Sequence, residues 1–80
     1  MFTVYILESI DQHRYYIGHA KNIEVRLTRH NHGYVRSTKL FRPWKIVHTE
    51  AFATKAEAYR RELQIKSYKG GNAFKKIVKI

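Results

Sequence analysis

Glu62 is a carboxylate in a position where a carboxylate is costly. On a predicted helix, at about 100° per residue, it falls inside the apolar arc rather than the polar one. The other members of that arc are Ala56, Ala58, Tyr59, Leu63 and Ile65. A carboxylate that faces a core must be paired or must bind a metal. One interpretation is an ion pair, with Lys66 four residues later or with an arginine across the interface. The other is a ligand for Mg²⁺, which takes one or two protein carboxylates and completes its shell with water and phosphate oxygens.

Two further pairs of residues have spacings that suit chemistry. Arg26 and His30 are four residues apart on a predicted helix, so both lie on one face beside an apolar seam. The alternative is that both are boundary residues whose charges reach solvent. Tyr5 and Tyr16 lie in two predicted strands, where tyrosines usually serve packing. They share a face only if Tyr5 pairs with an even-numbered residue, and the turn sequence does not fix that register.

The balance of charge indicates an anionic partner. Sixteen Lys and Arg against six Asp and Glu give a formal net charge of +10. Eight basic residues lie from Arg14 to Lys45 with Glu24 as the one acid between them, and five lysines follow from Lys66 onward with no acid. Three of these cations, Arg36, Lys39 and Arg42, belong to a predicted loop over residues 33–43. Nucleic acid is the commonest such partner, and an acidic membrane or protein is the alternative.

Length and composition restrict the class of protein. With 44% apolar residues among 80, the chain can build one small core, and we expect a single domain over residues 1–80. The absence of cysteine excludes a disulfide framework and a thiolate zinc site. The apolar stretch over residues 2–7 is too short for a signal peptide or a membrane span. We therefore expect a soluble cytoplasmic protein with no membrane partner.

The strands that position the tyrosines are predicted over residues 2–8, 15–20 and 44–52. Each of these runs is rich in β-branched and aromatic residues, and the first two form an antiparallel hairpin. The connections are too short for a parallel, doubly wound sheet. The expected fold class is therefore α+β, a small three-stranded antiparallel sheet flanked by about three helices.

The helices are predicted from their capping signals. Asn22 is a good N-cap and Gly33 a good terminator for a first helix over residues 23–32. Thr54 and Glu57 form a capping-box pattern that opens a second helix, which ends at the double glycine of residues 70–71. A basic third helix is predicted over residues 72–79.

Taken together, these residues resemble the GIY-YIG nuclease family. The first family motif appears as Val4-Tyr5-Ile6, and the second, Tyr15-Tyr16-Ile17-Gly18, begins ten residues after Tyr5. Residues 20–26 resemble the segment that leads to the family's helix arginine, and His30 follows Arg26 at the family's histidine spacing. Glu62 lies where the metal-binding glutamate belongs. The chain looks most like the small stand-alone bacterial members, and it departs from the family pattern at Val4 and at His19, a position that is lysine in the bacterial excision-repair nuclease.

The resemblance implies hydrolysis of a DNA phosphodiester by in-line attack of water, with one divalent ion. Glu62 would hold Mg²⁺ or Mn²⁺, and Arg26 would bond the non-bridging phosphate oxygens. Tyr5 is the first choice as general base, with Tyr16 positioning the water or the phosphate. Its neighbours must then lower the pKa of the phenol, because at its ordinary value of about 10 only about 0.1% is ionised at pH 7. His30 would protonate or orient the leaving group.

The expected function is a metal-dependent DNA endonuclease of DNA repair or recombination, acting on structured or single-stranded DNA. The predicted nucleic-acid contacts are His19, Lys21, Arg29, Arg36, Lys39, Arg42 and Asn72, the last carried over from the family. RNA is an alternative substrate, and whether a partner protein supplies targeting stays open. Two other functions stay open: a non-catalytic nucleic-acid-binding module of the same fold, and an RNA-scaffold protein.

Overall fold

A computed structural model describes residues 1–79 as one three-stranded antiparallel sheet with helices on both faces. The elements are β1 (Phe2–Ser9), β2 (Tyr15–Ala20), α1 (Ile23–Asn31), β3 (Trp44–Phe52), α2 (Lys55–Ser67) and α3 (Asn72–Val78), with one 3₁₀ turn at Lys39–Phe41. The strand order is β2-β1-β3, so the first strand is central. The α+β prediction, with three strands and three helices, is confirmed.

The central strand divides the core into two layers. Along β1, Val4 and Ile6 face the layer that contains α2 and α3, whereas Tyr5 and Leu7 face the layer that contains α1. All four side chains are at most 1% exposed. Burying an apolar side chain of this size contributes about 1.5–3 kcal/mol, so β1 is the main source of stability for both layers.

Local signals set the helix boundaries. The Asn22 side chain accepts from the Val25 amide at 3.1 Å, and Thr54 and Glu57 form the predicted capping box in both directions. At its other end α1 is tied to β3, because Asn31 accepts from the Trp44 amide at 2.6 Å and donates to its carbonyl at 3.1 Å. None of the helices within residues 1–79 has the length and apolar character needed to cross a bilayer.

The buried face of α2 is narrower than the predicted apolar arc. Ala58, Glu62 and Ile65 are buried, but Tyr59 is 50% exposed and Leu63 is 46% exposed, and Ala56 is also exposed. The prediction that these three face the core is wrong. On the helix, Tyr59 lies about 120° and Leu63 about 160° from Ile65, and a sheet of three strands is not wide enough to cover them.

Candidate active site

The strand register places the two motif tyrosines on one face. Tyr5 pairs with Gly18 and Leu7 pairs with Tyr16, which satisfies the even-numbered pairing that a shared face requires. The rings of Tyr5 and Tyr16 are 6.2 Å apart between centroids. Gly18 has no side chain to separate them, and a Cβ there would lie 2.8 Å from the Tyr5 hydroxyl.

His30 completes this group, which we call the tyrosine cluster (Tyr5, Tyr16 and His30). Its ring is fully buried, 4.7 Å from the Tyr16 ring, and each of its nitrogens has a partner. Nδ1 is 2.8 Å from Thr38 Oγ1, and Nε2 is 3.2 Å from the Tyr5 hydroxyl. The Thr38 hydroxyl donates to the Val35 carbonyl, so it accepts from His30 Nδ1, and Nε2 then accepts from Tyr5. Burial, with Arg26 and Arg29 nearby, lowers the pKa of His30 and favours this neutral form.

The surroundings of Tyr5 make its phenol less acidic. Burial is the largest cause of its raised pKa, and the neighbouring Tyr16 adds to it. Arg26 acts in the opposite direction, and Glu62 raises the pKa further. The side chains around Tyr5 therefore do not by themselves lower its pKa, because desolvation of the phenolate outweighs the attraction of Arg26.

Glu62 has two nitrogen partners, one on each carboxylate oxygen. His19 Nδ1 lies 2.6 Å from Oε1, and Lys66 Nζ lies 2.6 Å from Oε2. We call these residues the glutamate cluster (Glu62, His19 and Lys66). The predicted ion pair with Lys66 is present, and the 7% exposure of Glu62 explains why both oxygens need a partner.

The donor set fits one divalent cation held by one carboxylate. No group of three or more His, Asp or Glu side chains within residues 1–79 forms a metal cage. A single carboxylate is sufficient for Mg²⁺, which keeps most of its water and accepts phosphate oxygens. Lys66 is a cation, so a metal ion at Oε2 would replace charge of the same sign. Glu62 is thus compatible with the metal interpretation and with the ion pair.

The two clusters meet around the free edge of the sheet. Because side chains alternate along an edge strand, Gly18 faces the tyrosine cluster and His19 faces Glu62 on the other side of β2. Both Arg26 and Glu62 influence the ionisation of Tyr5, so the two clusters lie within electrostatic reach of each other. A phosphate at this edge would contact groups from both.

Three of the predicted cations line one open hollow beside the tyrosine cluster. Lys21, Arg26 and Arg29 border a space of about 390 Å³ at the start of α1. All three are exposed, and none of them forms a salt bridge with a carboxylate among residues 1–79. This arrangement leaves their charge available to a phosphate backbone.

The remaining predicted contacts lie farther from the clusters. Arg36, Lys39 and Arg42 are exposed in the loop between α1 and β3. Asn72 is exposed in α3, whose Phe74 packs on Tyr15. No side-chain hydrogen bond joins Asn72 to either cluster within residues 1–79, and its assignment stays a prediction.

Two residues with a role in this geometry carry no recognisable signal in the sequence. Thr38 is 1% exposed and fixes the orientation of His30, but it is one of several polar residues in a loop. Tyr59 contacts the glutamate cluster, its ring 5.8 Å from that of His19, although its helical position predicts a core residue. The burial pattern of α2, which only the structure reveals, identifies it.

Comparisons with known proteins agree on one family. The model of the GIY-YIG catalytic domain matches residues 1–75. A UPF0213 protein of Staphylococcus saprophyticus is 46% identical over 54 residues, covering 66% of each chain, just under two thirds of that relative. A UPF0213 protein of Staphylococcus epidermidis is 41% identical over 66 residues, covering 81% of this chain and 79% of the other. The solution NMR structure of a Bacillus halodurans UPF0213 protein is 32% identical, with a TM-score of 0.49 over 91% of this chain and 90% of that one.

Proposed function

We propose a nuclease function for this chain, which belongs to the GIY-YIG catalytic domain family. GIY-YIG domains are generally nucleases that use a divalent metal and act on nucleic acid. Our proposal is a metal-dependent endonuclease that hydrolyses DNA phosphodiesters, on structured or single-stranded substrates, in cytoplasmic repair or recombination. The observation that supports it is the geometry of β2, where Gly18 lies against the Tyr5 and Tyr16 rings and His19 lies 2.6 Å from the buried Glu62.

Glu62 and Arg26 would bind the phosphate in two different ways, Glu62 through a metal ion and Arg26 directly. Glu62 would hold Mg²⁺ or Mn²⁺ after His19 or Lys66 gives up its place on the carboxylate. When bound, the cation supplies Lewis-acid stabilisation of charge on the phosphoryl group and on the leaving oxygen. The planar guanidinium of Arg26 donates to the non-bridging oxygens, a task that suits a permanent charge at an exposed position.

Once its own phenolic proton has passed to solvent, Tyr16 is better placed than Tyr5 to take the proton of the attacking water. Tyr5 is 1% exposed and its hydroxyl donates a hydrogen bond to His30. Burial raises the pKa of Tyr5 and lowers the pKa of His30, and both changes disfavour transfer of the Tyr5 proton to the imidazole. Tyr16 is only half-buried, so water reaches it. We assign contact with the water to Tyr16, and to Tyr5 and His30 the positioning of its ring.

With this assignment, His30 no longer protonates or orients the leaving group. Its ring is fully buried, and both nitrogens are engaged by Tyr5 and Thr38. A proton on the leaving oxygen would therefore come from solvent rather than from the imidazole. His30 acts as a positioning residue through Tyr5.

The test compares two variants, each of which replaces one carboxylate with a neutral amide. Labelled branched, single-stranded and duplex DNA are incubated with Mg²⁺, Mn²⁺ or EDTA and with the wild type, Glu62→Gln or Glu50→Gln. Glu50 is the matched control, because it is also partly buried and ion-paired but lies on β3 with Arg61. We expect metal-dependent cleavage from the wild type and Glu50→Gln and none from Glu62→Gln, whereas DNA affinity is unchanged or raised in both variants.

Two outcomes would contradict the proposal. Cleavage that persists in Glu62→Gln or in EDTA would exclude the carboxylate as the metal ligand. Binding without cleavage by the folded wild type on every substrate would favour the non-catalytic module, for which His19 and Lys66 would be permanent partners of Glu62. Each measurement states its salt concentration, because contacts to about six phosphates change affinity by about three decades between 50 and 200 mM salt.

A further inference from the structure

An exposed aromatic side chain lies next to the glutamate cluster. Tyr59 precedes Glu62 by one turn of α2 and packs its ring against His19, with the two planes at 63°. Half of the tyrosine is nevertheless open to solvent, and its hydroxyl makes no hydrogen bond to any residue from 1 to 79. Tyr59 therefore serves neither as a core residue nor as a polar anchor.

Tyr59 belongs to a mixed stripe along the exposed side of α2. The α2 stripe consists of Lys55, Tyr59, Leu63 and Lys66. At 3.6 residues per turn, these four positions fall within about 80° of arc, adjacent to Glu62 on its solvent side. Leu63 is 46% exposed and extends the apolar surface of Tyr59 by one turn. A lysine at each end places positive charge on both sides of an apolar centre.

This combination matches the chemistry of an unpaired nucleotide. Aromatic side chains beside cations bind single strands, because every base has a face that can stack and every nucleotide has a phosphate. The net charge of +10 favours a polyanion over an apolar or basic protein surface. Lys66 adds an ammonium group beside Glu62, at the end of the stripe where the phosphate of the strand would lie.

We propose that the exposed ring of Tyr59, with Leu63 beside it, is a stacking site for one unpaired base of the strand whose phosphate lies at Glu62. The inference deepens the proposed nuclease function, because it defines the substrate class as DNA with an unstacked base near the cleaved bond. Bases inside a duplex are already stacked on each other and cannot reach this surface without unpairing. Single strands, flaps and branch points can.

The experiment measures binding without cleavage. Wild type, Tyr59→Phe, Tyr59→Leu and Tyr59→Ala are titrated in EDTA, at one salt concentration, into a short single strand containing 2-aminopurine and into a blunt duplex. Stacking contributes about 1–3 kcal/mol per base, which corresponds to a loss of single-strand affinity of about 5- to 150-fold in Tyr59→Leu and Tyr59→Ala. We expect Tyr59→Phe to bind like the wild type, and duplex binding to change less than about twofold in all variants.

The controls show whether the loss of binding is specific to Tyr59, and whether the base site can stand if the nuclease proposal fails. Ile10→Ala removes an apolar side chain that is 51% exposed in the hairpin turn, and it should bind like the wild type. Equal affinities of Tyr59→Leu and Tyr59→Phe for the single strand, or equal losses on duplex, would overturn the inference. Wild-type DNA binding by Tyr59→Ala with loss of self-association in sedimentation would also overturn it. If no substrate is cleaved but single-strand binding depends on the ring, the nuclease proposal fails and the base site stands.

Discussion

Gly18 leaves room for the two tyrosine rings to lie close together, and its replacement by alanine should disturb both. An ideal Cβ at this position lies 2.8 Å from the Tyr5 hydroxyl oxygen and 3.1 Å from Cε2 of Tyr16, whereas ordinary contacts begin at 3.4 Å. Tyr5 must then move by about 0.6 Å, but its ring is buried and its hydroxyl is held by His30. Overpacking of this kind costs about 1–3 kcal/mol of unfolding free energy. Because a displacement of 1 Å costs about 100-fold in rate, we expect cleavage to fall by about 10- to 100-fold.

The assay combines stability with activity. Urea unfolding is followed through the single tryptophan, Trp44, which is 4% exposed in the folded chain and becomes solvated on unfolding. Gly18→Ala with the stability and cleavage rate of the wild type would refute the reasoning.

Three further changes test the electrostatics and the backbone. Lys66→Met removes the cation that competes for Glu62, so Mn²⁺ should bind several-fold more tightly in calorimetry; weaker binding would contradict this. Glu50→Gln should lower the unfolding free energy by about 1 kcal/mol at pH 7. Arg61 holds the pKa of that carboxyl below its usual 4.5, so this stability is present above pH 4.5 and is lost as the pH falls through the folded value; a constant difference down to about pH 3 would refute it. Gly33→Ala should cost about 1–2 kcal/mol in thermal unfolding because φ is +81°, and Gly33→Asn should cost less.

The elements were predictable because their signals are local. The caps at Asn22 and Thr54 act within three residues, and both helices begin where these caps place them. The first helix was predicted to end at His32, one residue beyond its observed end at Asn31. Asn31 is bonded to the backbone of Trp44, a tertiary contact that no local signal predicts. The exposure of Tyr59 was not predictable, since a helical pattern contains no information about the width of the sheet beneath it.

The candidate site was predictable as a set of residue types but not as a geometry. Periodicity identified Glu62 and its Lys66 partner, which are four residues apart on one helix. The bond from His19 to the same carboxylate spans 43 residues, and nothing in a local pattern specifies such a pairing. Burial raises the pKa of Tyr5, and the desolvation of a phenol depends on layers of the fold that assemble around it.

Because β1 is the central strand of the sheet, the candidate site should lose its structure only when the whole domain unfolds. Tyr5 is in the middle of a strand that is hydrogen-bonded on both sides, to β2 and to β3. Amide groups in such a strand exchange their hydrogens with solvent only when the whole domain opens. A destabilising substitution outside the two clusters therefore reduces the number of competent molecules without a separate, local loss of the site. The midpoint of thermal inactivation should coincide with that of the global melting curve.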